Sequence, residues 1–207
     1  MLKLSDFDYS LPNELIDVEP KKERDQSRWL VLEKKNGQID HREFYDLLEY
    51  LKKGDVLLLN NYKVFPARLL GKKKETGGTV EIFLHKKIEQ DDKVQKNTVW
   101  ECLVGGKKIK KGKIIILPEN LKAEIMENNE DGTWLVSFNR GEKKMMEIVE
   151  RIGKIPLPPY IKTENRVHDI DDKQSYQTVY ASDEKLGSVA APTAGLHFTP
   201  ELLKKIQ

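Results

Sequence analysis

The sequence predicts a mixed α/β protein in which an α/β domain is interrupted by an inserted β domain. Three observations support this prediction. Residues 44–60 have the pattern of an amphipathic helix followed by an apolar strand, which is typical of α/β domains. Residues 66–138 instead hold short alternating strands separated by glycine turns, as in a small antiparallel barrel or sandwich. Helical and proline-rich segments return towards the end of the chain. We therefore place the α/β domain at residues 1–65 and 153–207, and the inserted domain at residues 66–152.

The first α/β segment begins with a predicted hairpin. Residues 28–40, "RWLVLEKKNGQID", combine a strand, an Asn-Gly turn and a short return strand. Asp40 is expected to cap a helix, because Glu43 follows three residues later and completes a capping box. Residues 55–60, "DVLLLN", form an apolar run without alternation, which predicts a strand buried on both faces. The apolar residues of the intervening helix recur at helical spacing, at Phe44, Leu47, Leu48 and Leu51.

The inserted domain is predicted from period-two alternation in three segments. Their apolar members are Val80, Ile82 and Leu84; Trp100, Cys102 and Val104; and Trp134, Val136 and Phe138. A helical stripe at residues 142–152 closes the domain, and "IPLPPYI" at residues 155–161 is expected to be a rigid connector. Thr199 can cap a final helix that starts at Pro200. Because that helix has only about two turns, the chain is expected to be part of a longer protein.

Composition excludes several classes of protein. Lys and Arg number 36 against 34 Asp and Glu, so any surface for nucleic acid must be local. A single cysteine, Cys102, argues against a disulfide framework and a multi-cysteine zinc site. The four histidines lack metal-ligand spacing, and no P-loop or dinucleotide fingerprint occurs. With no signal-peptide pattern and no long apolar stretch, we expect a soluble cytoplasmic protein without a metal or membrane partner.

The strongest candidate for a site is "GSVAAPTAGLHFT" at residues 187–199. These thirteen residues carry no formal charge, although 34% of the protein is charged. Small residues let a backbone approach a ligand closely, and Thr193 and His197 offer a hydroxyl and an imidazole. A helix start just after His197 should favour its neutral ring, which can serve as a base. The alternative is a tight loop whose histidine only braces the backbone.

Three other segments hold candidates with structural alternatives. "ERDQSR" at residues 23–28 can bind carboxylate or phosphate, or it can be a surface loop with an Arg–Asp pair. In "SYQTVYA", at residues 175–181, strand alternation would place Tyr176, Thr178 and Tyr180 on one face; aromatic rings there could stack on a purine or belong to the core. The lysine clusters at residues 72–74, 86–87 and 107–113 could meet phosphates, or they could protect strand edges from aggregation.

Several of these segments occur together in one known family. The chain contains, in this order, "LPNELI" (11–16), "RDQSR" (24–28) with "LVL" (30–32), "GDVLLLNNYKVFPARL" (54–69), "TGGTVEI" (76–82), "PLPPYI" (156–161), "YQTVYA" (176–181) and "SVAAPTAGLHFT" (188–199). In these motifs it resembles the S-adenosylmethionine:tRNA ribosyltransferase-isomerase family of queuosine synthesis over essentially its whole length. It departs from the family pattern at Asn61-Tyr62-Lys63 and at Ser175, and it lacks a glycine-rich "HVGxGTF"-like segment.

The resemblance implies a fold and an unusual reaction. An α/β barrel-like domain, discontinuous in sequence, would carry an inserted antiparallel β-barrel. S-Adenosylmethionine would donate its ribosyl group to 7-aminomethyl-7-deazaguanine at the wobble position of tRNA, by way of an ylide at the 5′ carbon, giving epoxyqueuosine, adenine and methionine. S-Adenosylmethionine would be a substrate, with no further cofactor, and the protein would act as a monomer. A non-catalytic RNA-binding module and a different nucleoside-processing enzyme remain as alternatives.

The matching motifs supply the candidate residues. His197 is the first candidate for proton transfer, with Thr193 beside it. Charge handling, of a methionine carboxylate or RNA phosphate, is assigned to Arg24, Asp25 and Arg28. Base stacking is assigned to Tyr176, Tyr180 and Phe198. The remaining candidates for substrate binding are Ser27, Asn60, Lys63, Arg68, Tyr160, Gln177, Pro192, Ala194 and Gly195.

Overall fold

The part of the chain that the computed structural model describes comprises residues 2–89, 96–161, 164, 166–168 and 170–207. The strands found there are β1 (Arg28–Leu32), β2 (Ile39–Glu43), β3 (Tyr62–Val64), β4 (Arg68–Lys73), β5 (Thr79–Lys87), β6 (Thr98–Gly105), β7 (Ile114–Ile116), β8 (Lys122–Asn128), β9 (Trp134–Phe138) and β10 (Ser182–Ser188). The α-helices are α1 (Glu142–Ile152), α2 (Asp172–Ser175) and α3 (Pro200–Ile206). No helix among these residues is both long enough and apolar enough to cross a membrane.

The predicted hairpin is confirmed, but the helix after it is not the expected one. Strands β1 and β2 pair antiparallel, with Val31 opposite Asp40. Asp40 therefore lies inside a strand and cannot cap a helix. The next element is a six-residue 3-10 helix, Phe44–Glu49, and the Asp46 carboxylate accepts a hydrogen bond from the backbone N–H of Glu43 at 3.1 Å. The prediction of a capping box at Asp40 and of a full amphipathic α-helix was wrong, because ladder pairing extends the backbone through Glu43.

The predicted strand at residues 55–60 is also wrong for this structure. These residues form no ladder with the described part of the chain, and Val56 and Leu58 are 91% and 93% exposed. A strand buried on both faces needs neighbouring strands and covering layers, and the described residues supply neither at this point. The next strand, β3, instead pairs in parallel with β10.

The middle of the chain forms a closed antiparallel barrel, which confirms the predicted β-barrel. The strand order is β4-β5-β6-β9-β8-β7, and the pairing of β4 with β7 completes the circle. The alternating apolar residues predicted from the sequence fill the interior, where Ile82, Leu84 and Val136 are fully buried. Gly71 faces inward on β4, where a Cβ would lie 2.8 Å from the side chain of Ile115. The absence of a side chain at this position lets the two closing strands approach.

Helix α1 covers one part of the barrel, as the helical stripe predicted. Met145, Ile148 and Val149 are buried in the same core as the barrel residues. After the helix, the chain returns beside the start of the barrel, because Arg68 and Lys154 exchange two backbone hydrogen bonds of 3.1 and 2.9 Å. The chain therefore enters and leaves the barrel region at adjacent points. The domain boundaries at residues 65/66 and 152/153 stay a prediction.

The segments outside the barrel form smaller units. Two two-stranded sheets, β1–β2 and β3–β10, occur among the described residues, and the α/β barrel-like arrangement implied by the resemblance stays a prediction. Residues 155–161 hold neither helix nor strand, as expected for the proline-rich connector. Helix α3 begins as predicted, since Thr199 Oγ1 accepts from the backbone N–H of Leu202 at 3.1 Å.

Residues 175–181 are not the predicted alternating strand. The backbone leaves α2 at Ser175 and continues in turns. Two contacts explain the difference. Asp171 caps α2 through the backbone N–H of Lys173, at 2.9 Å. The side-chain amide of Gln177 accepts a hydrogen bond from the backbone N–H of Val64 at 3.0 Å and donates one to the backbone C=O of Val64 at 2.6 Å. Local helix capping and a side chain that binds β3 therefore replace strand pairing here.

Candidate active site

Four segments far apart in the sequence line one cavity of about 530 Å³. They are residues 15–28, residues 157–161 with Arg166, residues 172–176, and residues 193–197 of the uncharged segment 187–199, which we call the neutral loop. The volume lies within the usual range for small-molecule sites. Of the residues predicted from the sequence, seven line this cavity: Arg24, Ser27, Arg28, Tyr160, Tyr176, Thr193 and His197.

His197 lines this cavity and is partly buried. It ends a 3-10 helix, Thr193–His197, that starts after Pro192. The ring centroid lies 5.2 Å from that of Phe44. Burial lowers the pKa of His197 below its ordinary value, and the backbone of Arg24 opposes this effect to a smaller degree. The neutral imidazole expected from the sequence is therefore favoured, although burial is the main cause. A neutral ring near pH 7 can accept a proton.

The small residues of the neutral loop serve close packing on the side chains beneath it. Gly195 is buried, and a Cβ at this position would lie 2.1 Å from the hydroxyl oxygen of Tyr180 and 3.0 Å from Cγ2 of Thr178. Phe198 is buried edge-on against Phe44, with centroids 5.0 Å apart. Gly195, Tyr180 and Phe198 do not line this cavity, and their roles as site residues stay a prediction.

Arg24 and Asp25 hold the cavity wall together. The Arg24 guanidinium donates to the backbone carbonyls of Gln177, Gln174 and Ser175 at 2.5, 3.1 and 3.2 Å. The Asp25 carboxylate accepts from the hydroxyl of Thr199 at 2.9 Å. The sequence suggested that both residues handle substrate charge, but their charged groups already bind the protein. Arg24 still lines the cavity, whereas Asp25 fastens the segment that follows His197.

Arg28 is the predicted cation with the most accessible side chain. It lines the cavity, is exposed, and forms no side-chain hydrogen bond or ion pair with the residues that the structure describes. Tyr160, also exposed, and Tyr176, half-buried, present aromatic surface to the same cavity. Burial raises the pKa of Tyr176, which keeps its hydroxyl protonated. The cavity therefore combines an available guanidinium, two aromatic rings and a neutral imidazole.

Sequence reasoning missed a strap of residues 17–20 on one side of the cavity. The Glu19 carboxylate accepts from the backbone N–H groups of Val167 and His168, at 2.5 and 3.0 Å, and from Nδ1 of His168 at 2.8 Å. These hydrogen bonds, with the side chain of His168 first, lower the pKa of Glu19 to about 2. Arg166 donates to the carbonyl of Val18 at 2.8 Å and pairs with Asp172 at 2.7 Å. Nothing in the spacing of these residues, about 150 positions apart, indicates the contact.

Six further candidates lie elsewhere. Asn60 accepts from the backbone N–H of Tyr62, and Lys63 pairs with Asp183 at 2.6 Å. Arg68 pairs with Glu81 at 2.7 Å and lines a second cavity of about 590 Å³. The two cavities share the residues Leu157, Arg166 and Asp172. Pro192 and Ala194 belong to the neutral loop without lining the first cavity, and Gln177 braces β3.

Among the described residues, no group of three His, Cys, Asp or Glu is placed to hold a metal ion.

Comparison with known proteins gives one consistent result. Residues 4–207 match the family model described as "Queuosine biosynthesis protein". Proteins of Thermotoga petrophila and Thermotoga maritima, both named S-adenosylmethionine:tRNA ribosyltransferase-isomerase, are 47% identical over 207 residues, which is 100% of this chain and 56% of each relative. A crystal structure of S-adenosylmethionine tRNA ribosyltransferase from Thermotoga maritima is 34% identical and covers 97% of this chain and 53% of that one, with a TM-score of 0.33. The chain thus spans little more than half the length of these relatives.

Proposed function

The chain belongs to the queuosine biosynthesis protein family, and from this we propose that it forms part of a tRNA ribosyltransferase-isomerase. The full-length protein, meaning a chain of the relatives' length that contains these 207 residues, transfers and isomerises the ribosyl moiety of S-adenosylmethionine. The acceptor is 7-aminomethyl-7-deazaguanine at the wobble position of tRNA. The products are epoxyqueuosine in the tRNA, free adenine and methionine.

One observation carries the proposal: a cavity of about 530 Å³ that joins an available arginine, two tyrosines and a neutral histidine. S-Adenosylmethionine offers a matching set of groups. We assign its carboxylate to Arg28, because a guanidinium binds carboxylates in a bidentate manner. We assign its adenine to Tyr160 and Tyr176, because aromatic rings stack on purines. The 5′ carbon next to the sulfonium is assigned to His197.

The reaction requires a base that is uncharged before it accepts the proton. A sulfonium acidifies the adjacent 5′ C–H, and His197 takes that proton and leaves the electron pair on carbon as an ylide. In the net rearrangement the ribosyl group loses its bonds to sulfur and to adenine and its C1′–O4′ bond. It gains a C5′–C1′ bond that closes the cyclopentane, a C5′–O4′ bond that closes the epoxide, and a bond from C1′ to the acceptor amine. The 5′ carbon and the amine each lose one proton; departing adenine takes one and solvent receives the other. Burial of the imidazole supports this role, since it keeps the ring unprotonated at pH 7.

Release of adenine tests the proposal. The full-length protein is incubated with S-adenosylmethionine and a tRNA that carries the 7-aminomethyl-7-deazaguanine base, and free adenine and modified tRNA are measured together. We expect one adenine for each tRNA converted. Binding of tRNA without adenine would support a non-catalytic RNA-binding module instead. Adenine that forms equally well without the tRNA would support a different nucleoside-processing enzyme.

A further inference from the structure

A strongly basic surface lies at one end of the barrel, away from the cavity. It is formed by two turns, residues 72–78 at the β4–β5 connection and residues 106–113 between β6 and β7. These turns contain eight lysines and one acidic residue, Glu75. Six of the lysines are exposed and form no ion pair with the residues that the structure describes: Lys72, Lys74, Lys107, Lys108, Lys110 and Lys111. We call these two turns the lysine surface.

Contacts between the turns make them a single surface. The pairing of β4 with β7 places Lys73 opposite Ile115, and the backbone N–H of Lys74 donates to the carbonyl of Ile114 at 2.9 Å. The side chain of Lys73 also donates to the carbonyl of Lys107. The one acidic residue of the two turns, Glu75, pairs with Lys113 and therefore does not neutralise the six exposed lysines. The third turn at this end, between β8 and β9, carries Glu130 and Asp131, so the excess of positive charge is confined to the two joined turns.

The closed barrel removes the structural explanation for these lysines. Lysines on exposed strand edges prevent edge-to-edge pairing and aggregation. Here β4 and β7 pair with each other, and every barrel strand has a neighbour on both sides. The barrel therefore has no edge strand for the lysines to protect. Their own mutual repulsion favours an external polyanion as the partner of this surface.

The position of the surface indicates an extended partner. Arg68, which lines the second cavity, starts β4, and Lys73 ends it, so the lysine surface lies about 17 Å further along the strand. A nucleoside-sized ligand cannot reach across this distance. Double-stranded DNA carries a phosphate about every 3.4 Å on each strand, so roughly five base pairs of a nucleic-acid duplex, or slightly more in the more compact RNA form, cover the same length.

We propose that the lysine surface binds backbone phosphates of the tRNA substrate outside the modified nucleotide. This inference rests on the proposed function, which supplies an RNA as the partner. Binding through phosphates positions an RNA without reading its sequence. The lysine surface would therefore add affinity and orientation, while the cavity alone acts on the wobble base.

The test measures the salt dependence of tRNA binding by the full-length protein. The variant is Lys108→Gln/Lys111→Gln, and the matched control is Lys143→Gln/Lys144→Gln. Lys143 and Lys144 are exposed at the start of α1, next to Glu142, which pairs with Lys87 at the opposite end of the barrel. Both variants lose the same charge. Each lost phosphate contact makes the slope of log K against log salt less steep by roughly 0.7–0.9. The slope of the Lys108/Lys111 variant should therefore be less steep than that of the wild type by up to about 1.4–1.8, while the control keeps the wild-type slope.

The outcomes separate this proposal from the proposed function. Equal slopes in the wild type and the Lys108/Lys111 variant would overturn the lysine surface, even if the protein releases adenine normally. An equal loss of slope in both variants would also overturn it, because the effect would then follow net charge alone. Wild-type protein that binds tRNA with the expected variant effect, but releases no adenine, would leave the surface standing and refute the proposed function.

Discussion

Replacement of Gly195 by alanine tests how the neutral loop holds His197. The new Cβ would lie 2.1 Å from the hydroxyl oxygen of Tyr180, against an ordinary contact of 3.4–4 Å. The loop or the tyrosine must therefore move by roughly 1 Å, and overpacking of this kind costs about 1–3 kcal/mol. In a chain of this size each kcal/mol lowers the melting temperature by about 2–4 °C. A shift of the loop also displaces His197, and a displacement of about 1 Å can cost on the order of 100-fold in turnover.

A second substitution makes this reasoning specific. Tyr180→Phe removes the oxygen that causes the closest contact, which leaves Thr178 Cγ2 at 3.0 Å and the Tyr180 ring carbon at 3.2 Å. Small adjustments can relieve those contacts. In the double variant, Gly195→Ala should therefore cost less than it does alone, with a coupling of about 0.5–2 kcal/mol. Thermal unfolding and adenine release by the full-length protein measure both effects.

Gly78→Ala serves as the control, since the nearest atom to its added Cβ is 3.6 Å away. We expect this variant to unfold within about 0.5 kcal/mol of the wild type or to be slightly more stable. The reasoning fails if Gly195→Ala melts like the control. It also fails if Gly195→Ala costs the same in the Tyr180→Phe background as in the wild type, because the clash with the hydroxyl would then be irrelevant.

Four further predictions concern the site and the chain. Full-length His197→Gln should lose about 10²–10⁴ in turnover with little change in S-adenosylmethionine binding; near-normal turnover would leave His197 as a loop brace. Because burial lowers the pKa of His197, its neutral form stabilises the fold above the ordinary histidine pKa of about 6.5. That stability is lost as the pH falls below this value, so melting temperature should drop less between pH 7.5 and 5 in His197→Gln than in the wild type. The lowered pKa of Glu19, about 2, means that its ionised carboxylate stabilises the fold above the ordinary carboxyl pKa, and that this stabilisation is lost as the pH falls towards 2. The difference in melting temperature between the wild type and Glu19→Gln should therefore shrink as the pH falls over this range. A constant difference would contradict the strap. The 207-residue chain by itself should fold in its barrel but release adenine poorly, and wild-type turnover by this chain would refute that expectation.

The barrel, the hairpin and the cap of helix α3 could be predicted because their signals are local. Alternating residues such as Val80 and Ile82 place one face of a strand inwards wherever that strand pairs. Thr199 before Pro200 provides a cap within a single turn. The absence of charge in the loop that holds His197 is also visible from a short window of sequence. Each of these signals depends on neighbours a few positions away, so it survives without knowledge of the remaining chain.

Tertiary structure decided which of the candidates meet. Arg24 was predicted to bind substrate, but its hydrogen bonds to the segment at residues 174–177 cross about 150 positions. The same separation hides the strap between Glu19 and His168. Residues 55–60 show the converse case, in which an apolar run has strand character and no strand forms. A periodic pattern states which side of an element is apolar, but burial and hydrogen-bond partners depend on which distant segments pack against it.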